Sequence, residues 1–362
     1  ARAYYLPRGI RPHLTVLTLL LFSFPALAQP RGDAIEAVDS LLTARHEAGR
    51  FHGAVAVGQN GKITYAAGFG QANQERDIAN TAETRFLIGS LTKQFTAALV
   101  LTLVRDGRVA LNEPISTYLP SYAGPEGKRI TLHHLLAHRS GLPSQTDVRS
   151  AANGETGAAA PPDFEPGTQY AYSNAGYIVL GLVVEAVTGR PYDEVLRERV
   201  LKPAGIDSDI GYPNNADDLA TGYVDTWWSW GHRRATTVNP DGPFSAGALY
   251  ATPKALVHWT RALHGGAVLP DSLVEAMTTP YSDSGYGYGL FVEKDTASGV
   301  EARAITHHGG GINGFTAALR RVQQAEGDTF VIAALDNTQG DETVEITEHI
   351  ERLLTGSHSP LH

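Results

Sequence analysis

The stretch from Phe86 to Phe95 places a serine and a lysine where they could act together on a carbonyl group. An apolar run ends at Gly89, Ser90 follows, and Lys93 comes three residues later, where an apolar-periodic segment begins. If Ser90 opens a helix, Lys93 lies one turn along on the same face. Because a positive helix end disfavours the charged ammonium, the pattern predicts a neutral Lys93 that accepts the proton of Ser90 as the serine attacks.

Ser90 and Lys93 also have an ordinary interpretation, since serine is a frequent N-cap residue and lysine a frequent surface residue. A serine hydrolase further needs a group that passes a proton to the leaving group, and donors that stabilise the oxyanion. Two other stretches of the chain offer these groups.

The first stretch delivers Tyr172 and Asn174 on a loop just before a very apolar helical segment. Residues two apart in an extended loop point the same way, so both side chains can face one site. A phenol beside a lysine and a hydroxyl can have its pKa lowered and carry a proton, and the Asn174 amide can orient Lys93 and a substrate carbonyl. Tyr212 and Asn214 form a second Tyr-x-Asn sequence, so this pattern alone does not decide between the two.

The second stretch, residues 305–315, holds two histidines followed by three consecutive glycines between predicted strands. Consecutive glycines let a substrate lie close against backbone amides, and one such amide together with that of Ser90 could form an oxyanion hole. His307 or His308 would add a polar group at the rim of the site. A glycine-rich hairpin turn with solvated histidines is the alternative interpretation.

With all three stretches in view, the chain resembles the serine β-lactamase and penicillin-binding (DD-peptidase) superfamily, in the branch that contains class C β-lactamases, D-aminopeptidases and related esterases. The resemblance covers about residues 35–354, including the connecting stretches 135–142, 246–252 and 286–290. The three matching motifs, in chain order, are Ser90-Leu-Thr-Lys93, Tyr172-Ser-Asn174 and His308-Gly-Gly310, the last in a His-x-Gly form. The resemblance implies that Tyr172, and not Tyr212, belongs to the second motif, and that His308, and not His307, belongs to the third.

The resemblance implies a catalytic role for three of the motif residues. Ser90 attacks the carbonyl and becomes acylated, while Lys93 and Tyr172 together form the base, with the position of the proton left open. Water then hydrolyses the ester. The implied substrate-binding residues are Asn174, His308 as a lining of the cleft, Gly310, and Gly311, whose amide forms the oxyanion hole with that of Ser90.

The third motif also departs from a common family pattern. Gly309 and Gly311 stand where members that bind a free carboxylate commonly carry hydroxyl residues, and His308 stands where a dedicated β-lactamase usually carries lysine. Loss of such donors should weaken the recognition of a carboxylate. Arg320 or Arg321 could supply a carboxylate clamp instead, or both could be exposed strand residues.

These observations predict an exported serine hydrolase that acts through an acyl-enzyme on amide or ester carbonyls. The candidate substrates are D-amino-acid peptides, β-lactams and small esters, and a peptidase, amidase or esterase is favoured over a β-lactamase. The alternative is a penicillin-binding or cell-wall-binding protein that acylates but turns over slowly.

The elements that must position these residues show strand patterns at both chain ends and helical patterns between them. Asn60-Gly61 is a strong tight-turn signal inside a predicted hairpin over residues 53–70. Further strands are predicted at residues 286–293, 300–306, 315–322 and 329–335, and helices at 33–50, 131–138, 176–188, 191–200, 253–263 and 342–354. This order predicts a mixed α/β fold in which an antiparallel sheet flanked by helices (residues 29–107 and 281–362) carries an inserted, mostly helical domain (residues 108–280).

Composition narrows the function classes further. The chain has 362 residues, enough for about two domains, and a formal net charge of −9 without a basic run, so nucleic acid is excluded as a partner. It contains no cysteine, which rules out disulfides, thiolate metal sites and a cysteine nucleophile. No cofactor is expected, and the predicted partner is a small-molecule or peptide substrate, of which a cell-wall fragment is one.

Residues 1–28 have the pattern of a secretory signal, with arginines before an apolar stretch and Ala26-Leu27-Ala28 as a cleavage site. The apolar stretch is shorter than the roughly 18 residues of a spanning helix, so no stable membrane anchor is expected. The predicted location is periplasmic or secreted, and the oligomeric state stays open.

Other kinds of site were also weighed. The chain has no Gly-x-Ser-x-Gly elbow, which disfavours a lipase-type hydrolase. His134 and His138 have an i, i+4 spacing, but no glutamate follows the first histidine, so no metal site is expected. The long segment 207–247 carries Trp227, Trp228 and Trp230, which could line a substrate cleft or pack a small core of their own.

Overall fold

The computed structural model describes residues 32–144, 161–213, 218–226, 231–295, 303–325, 327–338 and 342–356. The predicted signal segment 1–28 and the tryptophans Trp227, Trp228 and Trp230 lie outside these residues. Within the described part of the chain, no helix is both long and apolar enough to cross a membrane.

A six-stranded antiparallel sheet forms the centre of the fold, with the strand order β10-β11-β12-β13-β1-β2. The strands are β1 Gly53–Gln59, β2 Lys62–Gly68, β10 Phe291–Asp295, β11 Arg303–Ile312, β12 Phe315–Gln323 and β13 Thr329–Asp336. Since β13 pairs with β1 in the middle of the sheet, both ends of the chain build it. The predicted fold class, a mixed α/β fold with an antiparallel sheet and flanking helices, is confirmed.

The turn between β1 and β2 is the one that Asn60 and Gly61 predict. Both residues have positive φ angles, 50° and 77°, which is the requirement of a two-residue type I′ hairpin turn. The predicted strand over residues 286–293 is wrong at its start, because β10 begins only at Phe291 and the residues before it form an isolated bridge at Tyr286 and a bend.

Each face of the sheet packs against helices. On β1, Val55 and Val57 contribute to one apolar cluster with α1 Gly32–Glu47 and α10 Glu342–Thr355, while Ala54 and Ala56 contribute to the other. This alternation follows from the two-residue period of a strand, and it leaves both faces of the central strand buried.

Helices and short strands lie between β2 and β10. The helices are α2 Thr92–Arg105, α3 Leu132–Leu136, α4 Asn174–Thr188, α5 Tyr192–Leu196, α6 Lys202–Ala204, α7 Phe244–Gly247, α8 Pro253–His264 and α9 Asp271–Met277. The strands are β3 Gln71–Asn73, β4 Ile78–Ala79, β5 Phe86–Leu87, β6 Ile210–Gly211, β7 Tyr223–Thr226, β8 Gly231–Arg234 and β9 Tyr250–Ala251. One apolar cluster runs from the sheet through these helices, and the division into residues 29–107 with 281–362 and 108–280 stays a prediction.

Two predicted helices end at other residues than expected. The helix predicted over residues 131–138 ends at Leu136, because His138 adopts a positive φ of 54° that a helix does not permit. The helix predicted over 191–200 is present and extends further, because α5 continues without a break through a π-helical turn, Arg197–Leu201, into α6, which ends at Ala204.

A small three-stranded sheet, in the order β5-β9-β6, fixes the chain just before Ser90. Phe86 and Leu87 of β5 pair with Ala251 and Tyr250 of β9. The serine therefore follows a strand whose backbone is already held by a distant part of the chain.

We expect Ile350→Ala to destabilise the protein, because Ile350 of α10 is fully buried against the sheet. Removing a buried isoleucine side chain to alanine costs about 2–5 kcal/mol of the free energy of unfolding. Val344→Ala on the same helix is the control, since Val344 is 43% exposed. Urea unfolding of both variants tests this, and equal losses of stability would contradict the packing described for α10.

Candidate active site

Ser90 lies in a single 3₁₀ turn, Gly89–Leu91, between β5 and α2. It therefore precedes the helix by one turn and does not cap it, because the N-cap residue of α2 is Leu91. Gly89 has a φ of 50°, and a Cβ atom there would lie 2.8 Å from the amide nitrogen of Gly311. Glycine is thus required at this position both by the backbone conformation and by the close approach of β11.

Lys93 is completely buried and meets three oxygen atoms. Its Nζ atom lies 3.0 Å from Ser90 Oγ, 2.9 Å from Asn174 Oδ1 and 2.8 Å from the carbonyl oxygen of Ala246. Asn174 Oδ1 and the Ala246 carbonyl can only accept hydrogen bonds. In the neutral amine these two acceptors take both N–H groups, so that the nitrogen lone pair points at the hydroxyl of Ser90.

Burial lowers the pKa of Lys93 from its ordinary 10.5 to about 7. The cause is loss of hydration of the ammonium, whereas the sequence pattern attributed the shift to the helix N-terminus. The prediction that a large fraction of Lys93 is uncharged near pH 7 therefore holds, but its physical cause is burial and not the helix N-terminus.

Tyr172 and Asn174 both face Lys93, although they lie on different elements. Asn174 is the first residue of α4, whose N-cap Ser173 accepts a hydrogen bond from the Gly176 amide at 3.2 Å. The Lys93 Nζ atom lies 4.8 Å from the centre of the Tyr172 ring. The other Tyr-x-Asn sequence is engaged elsewhere: Tyr212 donates to the Pro240 carbonyl, and Asn214 lies outside the described residues.

Burial raises the pKa of the Tyr172 phenol far above its ordinary value, and the approach of Ser90 lowers it by less. The expectation that neighbouring groups lower this pKa is wrong, because loss of water outweighs their effect. The Tyr172 hydroxyl is buried and has no hydrogen-bond partner within the described structure. The phenol therefore keeps its proton near neutral pH, which favours Lys93 as the base.

Gly310 and Gly311 lie against the turn that carries Ser90. A Cβ atom on Gly310 would stand 2.1 Å from the Ile88 carbonyl and 3.2 Å from the Ser90 amide nitrogen, so no other residue fits there. Strand β10 pairs with β11 only as far as His307, which leaves the following edge of β11 next to the Ser90 turn. A Cβ atom on Gly311 would meet nothing within 4 Å, so this residue borders open space.

His308 is only 4% exposed and forms two hydrogen bonds. Its Nδ1 atom lies 2.5 Å from the Gly309 carbonyl, which can only accept, so Nδ1 carries the proton and Nε2 accepts from the Tyr286 hydroxyl at 3.2 Å. Burial lowers the pKa of His308 to about 3, which leaves it neutral. His308 lies behind Tyr172, with 6.1 Å between the ring centres. Because it is buried there, it does not form the polar group at the rim of the site that the sequence predicted.

Three further buried aromatic residues lie behind the site: His138, Tyr177 and Tyr286. The His138 ring lies 4.2 Å from the ring of Tyr172, and its Nδ1 atom accepts a hydrogen bond from the Ser173 amide at 3.1 Å. With His308 they form a neutral wall that withholds water from Lys93. His138 and Tyr286 lie in the family-like stretches 135–142 and 286–290, and Tyr177 in a predicted helix, but no local pattern connects these residues to the lysine.

The positions considered for a metal ion are engaged in other contacts. The Nδ1 atom of His134 accepts from the Thr131 amide and thereby caps α3, while His138 packs on Tyr172. No group of three or more histidine, aspartate or glutamate side chains suited to a metal ion occurs in the described ranges.

The two candidate clamp arginines are also engaged. Arg320 is 8% exposed and forms ion pairs with Glu351 and, at 3.6 Å, with Glu293. Arg321 is partly buried and donates to Gln323 at 2.8 Å. Arg320 is therefore not the exposed residue that was one alternative, and its charge is already paired within the sheet.

The comparisons with known proteins fit this geometry. The family model described as Beta-lactamase matches residues 38–355. The protein PbpX of Bacillus subtilis, provisionally named a penicillin-binding protein, is 30% identical over 257 residues, 67% of this chain and 62% of the relative. The teichoic acid D-alanine hydrolase of Staphylococcus aureus is 31% identical over 209 residues, 56% of this chain and 52% of the relative. The chain thus spans between half and two thirds of the length of these curated relatives.

Solved structures agree with the sequence matches. A D-stereospecific amidohydrolase from Streptomyces superposes with a TM-score of 0.70 and 26% identity, over 90% of this chain and 99% of that one. The octameric penicillin-binding protein homologue from Pyrococcus abyssi gives a TM-score of 0.74 at 24% identity, over 90% and 78% of the two chains, which shows a common fold. Because the family model covers nearly all of the described sequence and the fold agrees with it, this chain belongs to the Beta-lactamase family.

Proposed function

We propose that this chain is a serine hydrolase that forms an acyl-enzyme on Ser90. The observation that carries the proposal is the contact of 3.0 Å between Lys93 Nζ and Ser90 Oγ, made by a buried lysine whose pKa is about 7. A general base works best when its pKa is close to the working pH, and this amine meets that condition.

The proposed reaction assigns a group to each step. Neutral Lys93 takes the proton of Ser90 while Oγ bonds to the substrate carbonyl carbon, and the amides of Ser90 and Gly311 bind the resulting oxyanion. Tyr172 donates its phenolic proton to the leaving group and regains a proton from Lys93. Water then adds to the ester carbonyl, its proton passes to Lys93, and Ser90 Oγ leaves with a proton, which restores the starting state.

The proposed substrates are amides or esters, with peptidase, amidase or esterase activity favoured over β-lactamase activity. His308 is neutral and buried where a lysine would bring a positive charge, and Gly309 and Gly311 offer no hydroxyl. Both features weaken the recognition of a carboxylate on the leaving-group side. The D-stereospecific amidohydrolase and the teichoic acid D-alanine hydrolase among the relatives support this preference. Action outside the cytoplasm, in a periplasm or medium, is part of the proposal.

A penicillin-binding protein with slow turnover is the second candidate, supported by the name of the Bacillus subtilis relative. It uses the same Ser90 and Lys93 for acylation and differs only in the rate of the water step. A burst of p-nitrophenol equal to the enzyme concentration, followed by almost no steady release, would favour this candidate. We expect steady turnover of a short-chain p-nitrophenyl ester, measured by stopped-flow absorbance.

We expect Ser90→Ala to reduce kcat/KM for a p-nitrophenyl ester by about 1,000-fold or more, because the nucleophile is lost. Ser121→Ala is the matched control, since Ser121 is an exposed serine in another 3₁₀ turn. Its activity should equal that of the wild type. Intact mass after incubation with ester, penicillin or D-alanyl peptide should show an adduct only when Ser90 is present. Undiminished hydrolysis by Ser90→Ala would refute the mechanism.

The pH dependence of kcat/KM should follow the protonation of Lys93. Because burial lowers its pKa to about 7, the neutral base becomes more populated as the pH rises, and activity should increase through pH 7 and then level off. Asn174→Asp should move this rise to higher pH, because a carboxylate beside Nζ favours the ammonium.

Tyr172→Phe separates the two possible bases in the same experiment. Activity should fall about 100-fold, since a proton donor is lost, but the rise near pH 7 should persist if Lys93 is the base. Disappearance of that rise in Tyr172→Phe would instead assign it to the tyrosine.

A further inference from the structure

A cavity of about 370 Å³ lies next to the Ser90 site, and its position relative to the motif residues is informative. Its wall includes Leu87, three residues before Ser90, and Ile312, the residue after Gly311. The lining also includes residues 219–222, 234–238 and Pro240. The cavity therefore begins where the open edge of β11 ends.

The walls of this cavity are held together by tight backbone contacts. A Cβ atom on Gly314, in the turn between β11 and β12, would stand 2.6 Å from Gly222 and 2.7 Å from Ala235. The Ala235 amide donates to the Gly222 carbonyl at 2.8 Å, which closes the base of the β7–β8 hairpin. The described part of the segment 207–247 thus lines a cleft, while the role predicted for Trp227, Trp228 and Trp230 stays a prediction, because these residues lie outside the described part of the chain.

The position of Tyr172 indicates which part of a substrate faces the cavity. The Tyr172 ring lies near His308, on one side of Gly311 along β11, whereas the cavity begins at Ile312 on the other side. In the proposed mechanism the leaving group receives its proton from Tyr172 and so lies toward His308. The acyl part, on the other side of the scissile bond, then extends into the cavity.

Arg234 is the one charged side chain among the described residues that line this cavity, and no aspartate or glutamate is among them. The arginine is exposed at the end of β8. Its neighbourhood includes Glu75, whose pKa is lowered first by a hydrogen bond from Tyr223 and to a smaller extent by the charge of Arg234. Glu75 accepts the Tyr223 hydroxyl at 2.6 Å. Because Arg234 is exposed and also lines the cavity, a ligand can reach its side chain.

We propose that Arg234 is a specificity-determining residue, and that preferred substrates carry an oxyanion, a carboxylate or a phosphate, at the far end of the acyl part. Leu87, Val238 and Phe315 supply an apolar lining for the chain between the scissile carbonyl and that group. Guanidinium binds carboxylate and phosphate oxygens through paired hydrogen bonds, and it repels an acyl part that carries a free ammonium. The proposal rests on the proposed function of Ser90.

Three p-nitrophenyl esters test the proposal: the monoester of adipic acid, its neutral methyl ester, and a phosphonate of the same length. They share a leaving group and differ in the charge and kind of the distal group. The wild type should hydrolyse the anionic esters with a kcat/KM about fivefold above that of the methyl ester, as expected for one solvent-exposed ion pair. Which anionic ester is preferred tells a carboxylate from a phosphate. The preference should shrink in 0.5 M NaCl because exposed charges are screened.

Arg234→Gln should abolish the preference while kcat/KM for the methyl ester stays within about twofold. Arg233→Gln is the control, because Arg233 is an exposed neighbour whose side chain leaves the opposite face of β8 and does not line the cavity. Equal effects of Arg234→Gln on the charged and neutral esters, or no preference in the wild type, would overturn the proposal and leave the Ser90 mechanism standing. Hydrolysis that persists in Ser90→Ala, or no hydrolysis of any of the esters, would overturn both.

Discussion

The burial of Lys93 is the constraint on which the rest of the site depends. An ammonium group withdrawn from water is costly, and this cost lowers the pKa of the amine toward 7. The same enclosure would be useless for catalysis if the amine were randomly oriented. Asn174 and the Ala246 carbonyl take its hydrogens, and Ser90 is left as the partner of the lone pair. Desolvation and hydrogen bonding thus act together: desolvation lowers the pKa of the amine, and the hydrogen bonds orient its lone pair.

The enclosure around Lys93 is made of groups that carry no charge. Tyr172 keeps its proton because it is buried, and His138 and His308 stay neutral for the same reason. A lysine in place of His308 would add a second positive charge to this wall and an attraction for anionic leaving groups. Because no lysine stands at this position, we expect a charged group of the substrate to be recognised on the acyl side of the scissile bond, where Arg234 lies, and not beside Tyr172.

The main sheet brings the motifs together. Strand β11 belongs to the end of the chain, Ser90 to its beginning and Asn174 to its middle, and the pairing of β13 with β1 joins the two ends. Glycine is needed wherever these segments meet at van der Waals distance: Gly310 against Ile88 and Ser90, and Gly89 against Gly311. Close backbone approach, which a side chain would prevent, is therefore the physical reason for Gly310 in the third motif and for Gly89 before Ser90.

The amino-acid sequence by itself determined the family-like motifs, the mixed α/β fold, the Asn60-Gly61 hairpin and most of the elements, because these follow from local periodicity, turn chemistry and residue type. The start of β10 and the end of α3 were misjudged, since tertiary contacts and the positive φ of His138 decide them. Only the tertiary structure decided the charge states of Lys93, Tyr172 and His308. A pKa depends on how much water remains around a group, and that is set by residues far apart in sequence, such as His138, Tyr177 and Tyr286. The tertiary structure likewise placed Arg320 in an ion pair and Arg234 at the cavity. The residues that contact an arginine side chain come from distant parts of the sequence, so its sequence neighbours do not predict them.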